Sequence, residues 1–418
     1  MINRRTFATL LGGAVIAPQL SSVRSWGEAM KTQTVFYAAV GGELALYSMD
    51  VDDPALVKRS AVTLPSDVQY AWPHPSGQFL YVASGDRGAG AAADRHFVNA
   101  FRIDAASGAL QPHGEARNLP SRPVHASVDM AGEYLLVAHN SPSSLTVHRI
   151  NRDGTLGERV TQPNQLDTGK YAHQIRATPD NRHVILVTRG NNAPGDNPVN
   201  PGSLKVFGFK DGVLTNAAAI QPGDGMRFGP RHLDFHPSRP WVYVSIESQC
   251  KLYVYGRDAA SGLSREPLFV KDTLSDPSAA GPRQHAGAIH VHPNGRDVYV
   301  TNRDSGTVTI DGKRVSAGGQ NNVAVFAIDE ASGEPSLIQT IEGQAIELRT
   351  FSIDPSGRLL VTASIQPVPV RDGDAIGTLP AGLSVFRIDA GGKLHFLRKY
   401  DVDVGDKSQF WSGMVTLA

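Results

Sequence analysis

The sequence predicts an all-β fold, a seven-bladed β-propeller of four-stranded antiparallel blades, and three observations carry that expectation. A turn containing Pro or Gly, followed by an apolar strand, recurs six times along the 418 residues. A second turn, Asp or Asn leading to Gly between two strands, recurs seven times. Amphipathic helices of useful length, which a doubly wound α/β fold requires between its strands, are missing from the pattern. Self-similarity with a period of roughly 50 residues is the mark of a radial repeat.

The first phrase begins with His74-Pro75-Ser76-Gly77 before Phe79-Leu80-Tyr81-Val82, and Asp129-Met130-Ala131-Gly132 before Tyr134-Leu135-Leu136-Val137. It returns at Thr178 to Asn181, His236 to Arg239, His292 to Gly295 and Asp354 to Gly357. The second phrase stands at Asp50 to Pro54, Asp104 to Gly108, Asn151 to Gly154, Lys210 to Gly212, Asp258 to Gly262, Asp329 to Gly333 and Asp389 to Gly392. Asp caps its own turn and Gly accepts the positive φ, so each copy joins two antiparallel strands. Seven copies of one turn against six of the other imply one blade shared between the chain ends. Thr34 to Asp50 supplies strands with no inner strand before them, and the apolar segment Phe410 to Leu417 supplies the missing one, closing the ring with N- and C-terminal strands.

Basic and acidic residues balance at 40 each, which leaves no electrostatic footprint for nucleic acid or an anionic membrane. Any anionic substrate must be held by local arginines. Asn3-Arg4-Arg5-Thr6-Phe7 precedes the uncharged stretch Ala8 to Ala17, the layout of a twin-arginine export signal. The stretch is about half the ~20 residues that span a bilayer. The expected division is therefore an export signal over 1-29 and a single propeller over 30-418, with the export machinery as a partner and a periplasmic or secreted product. Cys250 is the only cysteine, so no internal disulfide forms.

In an up-and-down blade the first strand lines the central channel and the second returns antiparallel. The start of strand one and the end of strand two therefore share one face of the ring. At those places stand His125, His173, Arg231 with His232, Arg283 with His285, and Arg349, then His139 with Asn140, Arg189, Glu247 and Arg303. The segments Gly85 to His96, Gly190 to Gly202, Arg303 to Gln320 and Gln366 to Gly382 rise from the same face and read as long loops around one mouth.

At these residues the chain resembles the lactonase family of seven-bladed propellers, the group of propeller-type 6-phosphogluconolactonases and carboxymuconate cyclases. The resemblance rests on Gly229-Pro230-Arg231-His232 leading to Phe235-His236-Pro237, and on His173 followed by Thr178 to Arg182. Arg283 before Ala286 to His290, and Arg349-Thr350-Phe351 before Asp354 to Gly357, extend it. It implies a site of His173, Glu247 and Arg231 with Arg283 and Arg349 binding substrate, and the rim positions His125 and Asn140 are expected to bind it beside them. Phe410-Trp411-Ser412-Gly413 departs from the family's Gly-Pro-x-Trp, and the export signal puts a phosphorylated substrate in question more than lactone chemistry.

Lactone hydrolysis needs a base to activate water, donors for the tetrahedral oxyanion and a cationic clamp. His173 is the natural base, because only imidazole titrates near neutrality unperturbed. Glu247 orients it or holds hydroxyls, and Arg231 offers a planar fork. No metal and no cofactor is expected: His290 and His292 share a strand face, but no third ligand has fitting spacing. His74, His236 and His292 sit in His-Pro turns, and Tyr81, Tyr243 and Tyr299 belong to blade cores. A carboxymuconate-type cycloisomerase would use the same residues. A non-catalytic periplasmic scaffold would show an empty or hydrophobic rim instead.

Overall fold

Seven sheets stand around one axis, each running from an inner strand outward. The computed structural model describes residues 33–86, 95–191 and 199–417; the expected export signal lies outside them. The inner strands of blades two to seven are Val68–Pro73, Pro123–Val128, Ala172–Ala177, Pro230–Phe235, Gln284–Val291 and Leu348–Ile353. In blade one the inner strand is Gln409–Thr416, which pairs antiparallel with Thr34–Val40. The chain ends thus close the ring as the turn count requires.

The reason for a ring is visible in the burial of the second strands. Phe79–Gly85, Tyr134–His139, Trp241–Ile246 and Leu359–Ser364 are buried at every position, on both faces of the sheet. Each of the seven apolar clusters joins residues of two neighbouring blades. The last of them packs Phe36, Ala38 and Leu56 of blade one on Leu359, Val361 and Val385 of blade seven. An open stack would leave two such faces in water.

Two sets of hydrogen bonds between neighbouring blades reinforce the apolar packing. The Tyr37 hydroxyl donates to the Gly108 carbonyl at 2.6 Å, Tyr81 to Gly154 at 2.9 Å, Tyr243 to Gly333 at 3.0 Å and Tyr299 to Gly392 at 2.8 Å. Each joins a second strand to the outer turn of the next blade. Nearer the axis, His74, His236 and His292 accept from turn amides through Nδ1 and reach Gly132, Gly295 and Gly357 through Nε2 at 3.0, 2.8 and 2.8 Å. A ring nitrogen that accepts leaves the proton on the other, so Nε2–H donates to the neighbouring blade. Gly357 has φ +74°, and a side chain there would strike the His292 ring. The His-Pro turns are inter-blade clasps, and the second-strand tyrosines are both core and clasp.

Two of the expected loops are hairpins instead. Thr307–Ile310 pairs with Lys313–Ser316, and Val368–Asp372 with Ala375–Leu379. Asp311 and Gly312 both have positive φ, 48° and 75°, as a two-residue hairpin turn that follows strand twist requires. The hairpins rise from blades six and seven on the face that carries the site, and the strands Lys313–Ser316 and Val368–Asp372 lie against each other.

Replacing Tyr299 by Phe leaves the buried Gly392 carbonyl without its donor. Stability to urea should fall by about 1–2 kcal/mol, with the fold and any activity retained. An unchanged urea midpoint would show that the clasp contributes nothing.

Candidate active site

The inner strands share a local irregularity that builds the channel mouth. In blades four, five and seven the pairing register skips one residue near the start of the strand, leaving His173, Arg231 and Arg349 without opposing partners. The same skip leaves out Phe410, Gln69 and Val124 in blades one, two and three. A bulge turns its extra residue out of the regular alternation. Blade six skips deeper, between Ala286 and Ile289. His173, Arg231 and Arg349 thus reach the mouth by one repeated backbone device.

Glu247 is the hub. It follows the strand Trp241–Ile246 at the start of a short 3-10 turn, with its amide bonded to the Gly229 carbonyl at 2.8 Å. The residue is 3 % exposed, and its carboxylate accepts from Arg231 at 3.1 Å, from Arg189 at 3.0 Å, and from Arg303. Burial alone would raise its pKa, but the guanidinium groups of Arg231, Arg303 and Arg189 outweigh burial and hold it well below the usual carboxylate range. Burial and the nearby Arg303 lower Arg231 to about 10, so it stays charged at neutral pH. Arg303 also reaches Glu347 at 3.3 Å, whose φ of 61° places it in the left-handed region.

His173 Nε2 lies 3.1 Å from Arg231 Nη1. Behind it the rings of His232 and His125 follow at 5.1 and 6.0 Å, and Tyr70 lies against His125, tilted, at 3.9 Å. Burial first, and neighbouring cations second, push all three histidines well below their ordinary pKa. They form a neutral column running from the mouth into the channel.

The structure brings His173, Arg231 and Glu247 together as expected and adds Arg189 and Arg303. Both added arginines end second strands on the expected rim; their meeting at Glu247 has no sequence signal, because it joins three blades. Arg349 stands at the same mouth, its guanidinium 3.6 Å from the Phe410 ring centre. The remaining three lie elsewhere. Arg283 is exposed and lines an adjoining cavity of about 600 Å³ with Ser248, Gln249 and His285. Asn140 Nδ2 donates to the Ala172 carbonyl at 2.9 Å, tying blade three to blade four. His125 is fully buried, so its contacts are with protein. Among the described residues no group of three or more His, Cys, Asp or Glu has the geometry to hold a metal ion.

The family description "Lactonase, 7-bladed beta-propeller" matches residues 32–366. The chain belongs to the seven-bladed β-propeller lactonase family. Membership places it among lactone-hydrolysing enzymes. It is 26% identical over 336 residues to the 6-phosphogluconolactonase of Bacillus subtilis, covering 78% of this chain and 85% of that protein. The 6-phosphogluconolactonase of Pectobacterium carotovorum is 29% identical over 343 residues, 78% of this chain and 91% of its own. Among solved structures, the periplasmic gluconolactonase of Pseudomonas aeruginosa superposes with a TM-score of 0.71 at 21% identity, over 93% of this chain and 100% of that one. This last likeness concerns the fold.

The buried histidines make stability depend on pH. His125, His173 and His232 are strongly depressed, and burial lowers His139 and His148 to about 4. Below pH 6.5 the unfolded chain takes up protons that the folded chain refuses. Stability is therefore complete above that pH and falls as the solution is acidified, by about 1.4 kcal/mol per pH unit for each histidine. Asp297, raised by burial to about 6, acts in the opposite sense and offsets one of them. Urea midpoints should fall steeply between pH 7 and 5; a flat profile would mean that the column is hydrated and titrates normally.

Proposed function

We propose that this lactonase-family chain hydrolyses a sugar-acid lactone, 6-phosphogluconolactone or a related aldonolactone. Water is activated by a histidine and the oxyanion is held by arginine. The observation that carries the reading is the charge at the mouth. Four guanidinium groups, of Arg189, Arg231, Arg303 and Arg349, converge on the site with Glu247 and Glu347 as the carboxylates among them. A cationic excess in a partly dehydrated pocket favours the negative charge that develops on the attacked carbonyl, and a phosphate where the lactone carries one. Arg231, 2 % exposed and held from two sides by Glu247 and His173, is suited to the oxyanion because its orientation costs nothing at the moment of reaction. Arg283, on the wall of the adjoining cavity, is suited to a distal acid group.

The names of the relatives support the substrate class, since those proteins are 6-phosphogluconolactonases. A charged rim is the opposite of what the scaffold reading anticipated. Arg4-Arg5 and the apolar segment behind them support export, and an exported enzyme would meet free aldonolactones as readily as phosphorylated ones.

The test is hydrolysis of 6-phosphogluconolactone and gluconolactone by the purified chain, with the spontaneous rate subtracted. A clear enzymatic rate is expected on at least one. Arg231→Lys, which keeps the charge but loses the planar fork, should lower kcat/KM by about 100-fold or more. A wild-type chain no faster than buffer would overturn the reading. Conversion of a carboxymuconate to its lactone, with no hydrolysis, would replace it with cycloisomerase activity.

A further inference from the structure

A sugar lactone brings hydroxyl groups as well as a carbonyl, and the two need opposite partners. The carbonyl oxygen accepts hydrogen bonds, which arginines supply; the hydroxyls also donate, and a guanidinium has nothing that accepts. Acceptors at the mouth are few. Glu247 is buried and gives both carboxylate oxygens to Arg231, Arg303 and Arg189. His173 Nε2 is engaged with Arg231 at 3.1 Å. Arg231 must donate in that contact, so the nitrogen has no lone pair left for a sugar hydroxyl.

Glu347 is placed differently. It stands immediately before the inner strand Leu348–Ile353, two residues ahead of the bulged Arg349, with φ 61°. Tyr171 and Gly229 hold the same place ahead of His173 and Arg231, with φ 56° and 52°. Glycine adopts this left-handed conformation freely, as in blade five; a glutamate is strained there, and strain of this kind gathers where a side chain is in use. The backbone is pinned by the buried Asn321, whose Oδ1 accepts from the amide of Glu347 at 2.8 Å and from that of Asp304, the neighbour of Arg303, at 3.1 Å. One carboxamide oxygen thus fixes both partners of the Arg303–Glu347 pair. The Arg303 guanidinium spans two carboxylates, with Nη2 on Glu247 and Nη1 on Glu347 Oε1 at 3.3 Å. Among the described residues no hydrogen bond reaches Glu347 Oε2, and the side chain is 17 % exposed.

We propose that Glu347 recognises the hydroxyl groups of the lactone, its Oε2 accepting from a ring hydroxyl while Oε1 stays on Arg303; this rests on the lactonase reading above. A ring whose carbonyl lies against a guanidinium of the Glu247 cluster carries its hydroxyls to Glu347, which is one guanidinium away from Glu247. The contact forms on binding and persists through the reaction, so it acts on affinity more than on the chemical step. Arginines alone would hold any lactone carbonyl. A bare ring, lacking hydroxyls, leaves the Glu347 carboxylate without its donor, and the site rejects it for that reason.

The test uses the full chain in two variants: Glu347→Gly, which suits the left-handed backbone, and Glu347→Gln, which keeps the length and a neutral acceptor. Steady-state rates are measured on gluconolactone and on δ-valerolactone, the same six-membered ring without hydroxyls, with circular dichroism as the control for folding. Glu347→Gly should lower kcat/KM for gluconolactone by about 10- to 100-fold, most of it as a rise in KM, with Glu347→Gln between it and the wild type. The loss on δ-valerolactone should be at least several-fold smaller. A wild-type KM for gluconolactone in Glu347→Gly would overturn the assignment. So would an equal loss on both lactones, which is what mere support of Arg303 predicts. Calorimetry with the uncleavable gluconolactam reads the same contact without turnover: its affinity should fall by a similar factor in Glu347→Gly, and equal affinity in the two chains would overturn the assignment. A wild type that hydrolyses no lactone yet binds gluconolactam through Glu347 would overturn the lactonase reading alone; one that neither hydrolyses nor binds would overturn both.

Discussion

Every blade of this protein is apolar on both faces, and that constraint shapes the molecule. A sheet buried on both sides needs a neighbour on each, and the requirement ends only when the last sheet meets the first. The pairing of Gln409–Thr416 with Thr34–Val40 meets it, setting the C-terminal strand innermost in the blade that the N-terminal strands complete. Gln409 strengthens the joint: it is fully buried and donates from Nε2 to the Ser364 and Gly382 carbonyls of blade seven at 3.0 and 3.2 Å. The hydroxyl and imidazole clasps align the blades; the apolar clusters between them carry the bulk of the stabilisation.

The site depends on the same closure. Inner strands converge on the axis, so residues far apart in sequence meet once the ring is closed, as Arg189, Arg231 and Arg303 do at Glu247. A skipped residue near the start of an inner strand adds a side chain directed out of the ladder. Three of the positions so placed carry His173, Arg231 and Arg349. Removing one partner from a buried network of this kind leaves unpaired charge rather than a simple gap. Beside the cluster, Arg283 and His285 line a cavity of about 600 Å³.

Much of this was legible in the sequence for a physical reason. Turn chemistry is local: Asp-to-Gly and His-Pro turns are specified by residues within a few positions, so seven outer turns and six inner ones could be counted directly. The rim followed, because antiparallel pairing decides which strand ends share a face. The inner-strand bulges were not legible, since a skipped residue depends on the partner strand and leaves no composition of its own. Arg283 shows the consequence, standing on the expected rim but lining the adjoining cavity rather than joining the cluster. The hairpin at Thr307–Ser316 did have a signal, Asp311-Gly312 between alternating apolar residues, which glycine-rich surroundings obscured. The tautomer of His173 arises from its contact with Arg231 of the next blade and could come only from the structure.

The most direct test of the account is a structure of the chain with gluconolactam, in which a ring nitrogen replaces the scissile oxygen and resists cleavage. The account predicts the lactam ring in the cavity between Glu247 and Arg283. Its carbonyl oxygen should lie against a guanidinium of the Glu247 cluster, with a water about 3–3.5 Å from the carbonyl carbon. A lactam bound at the opposite mouth of the channel, among Trp72, Phe351 and Trp411, would contradict it.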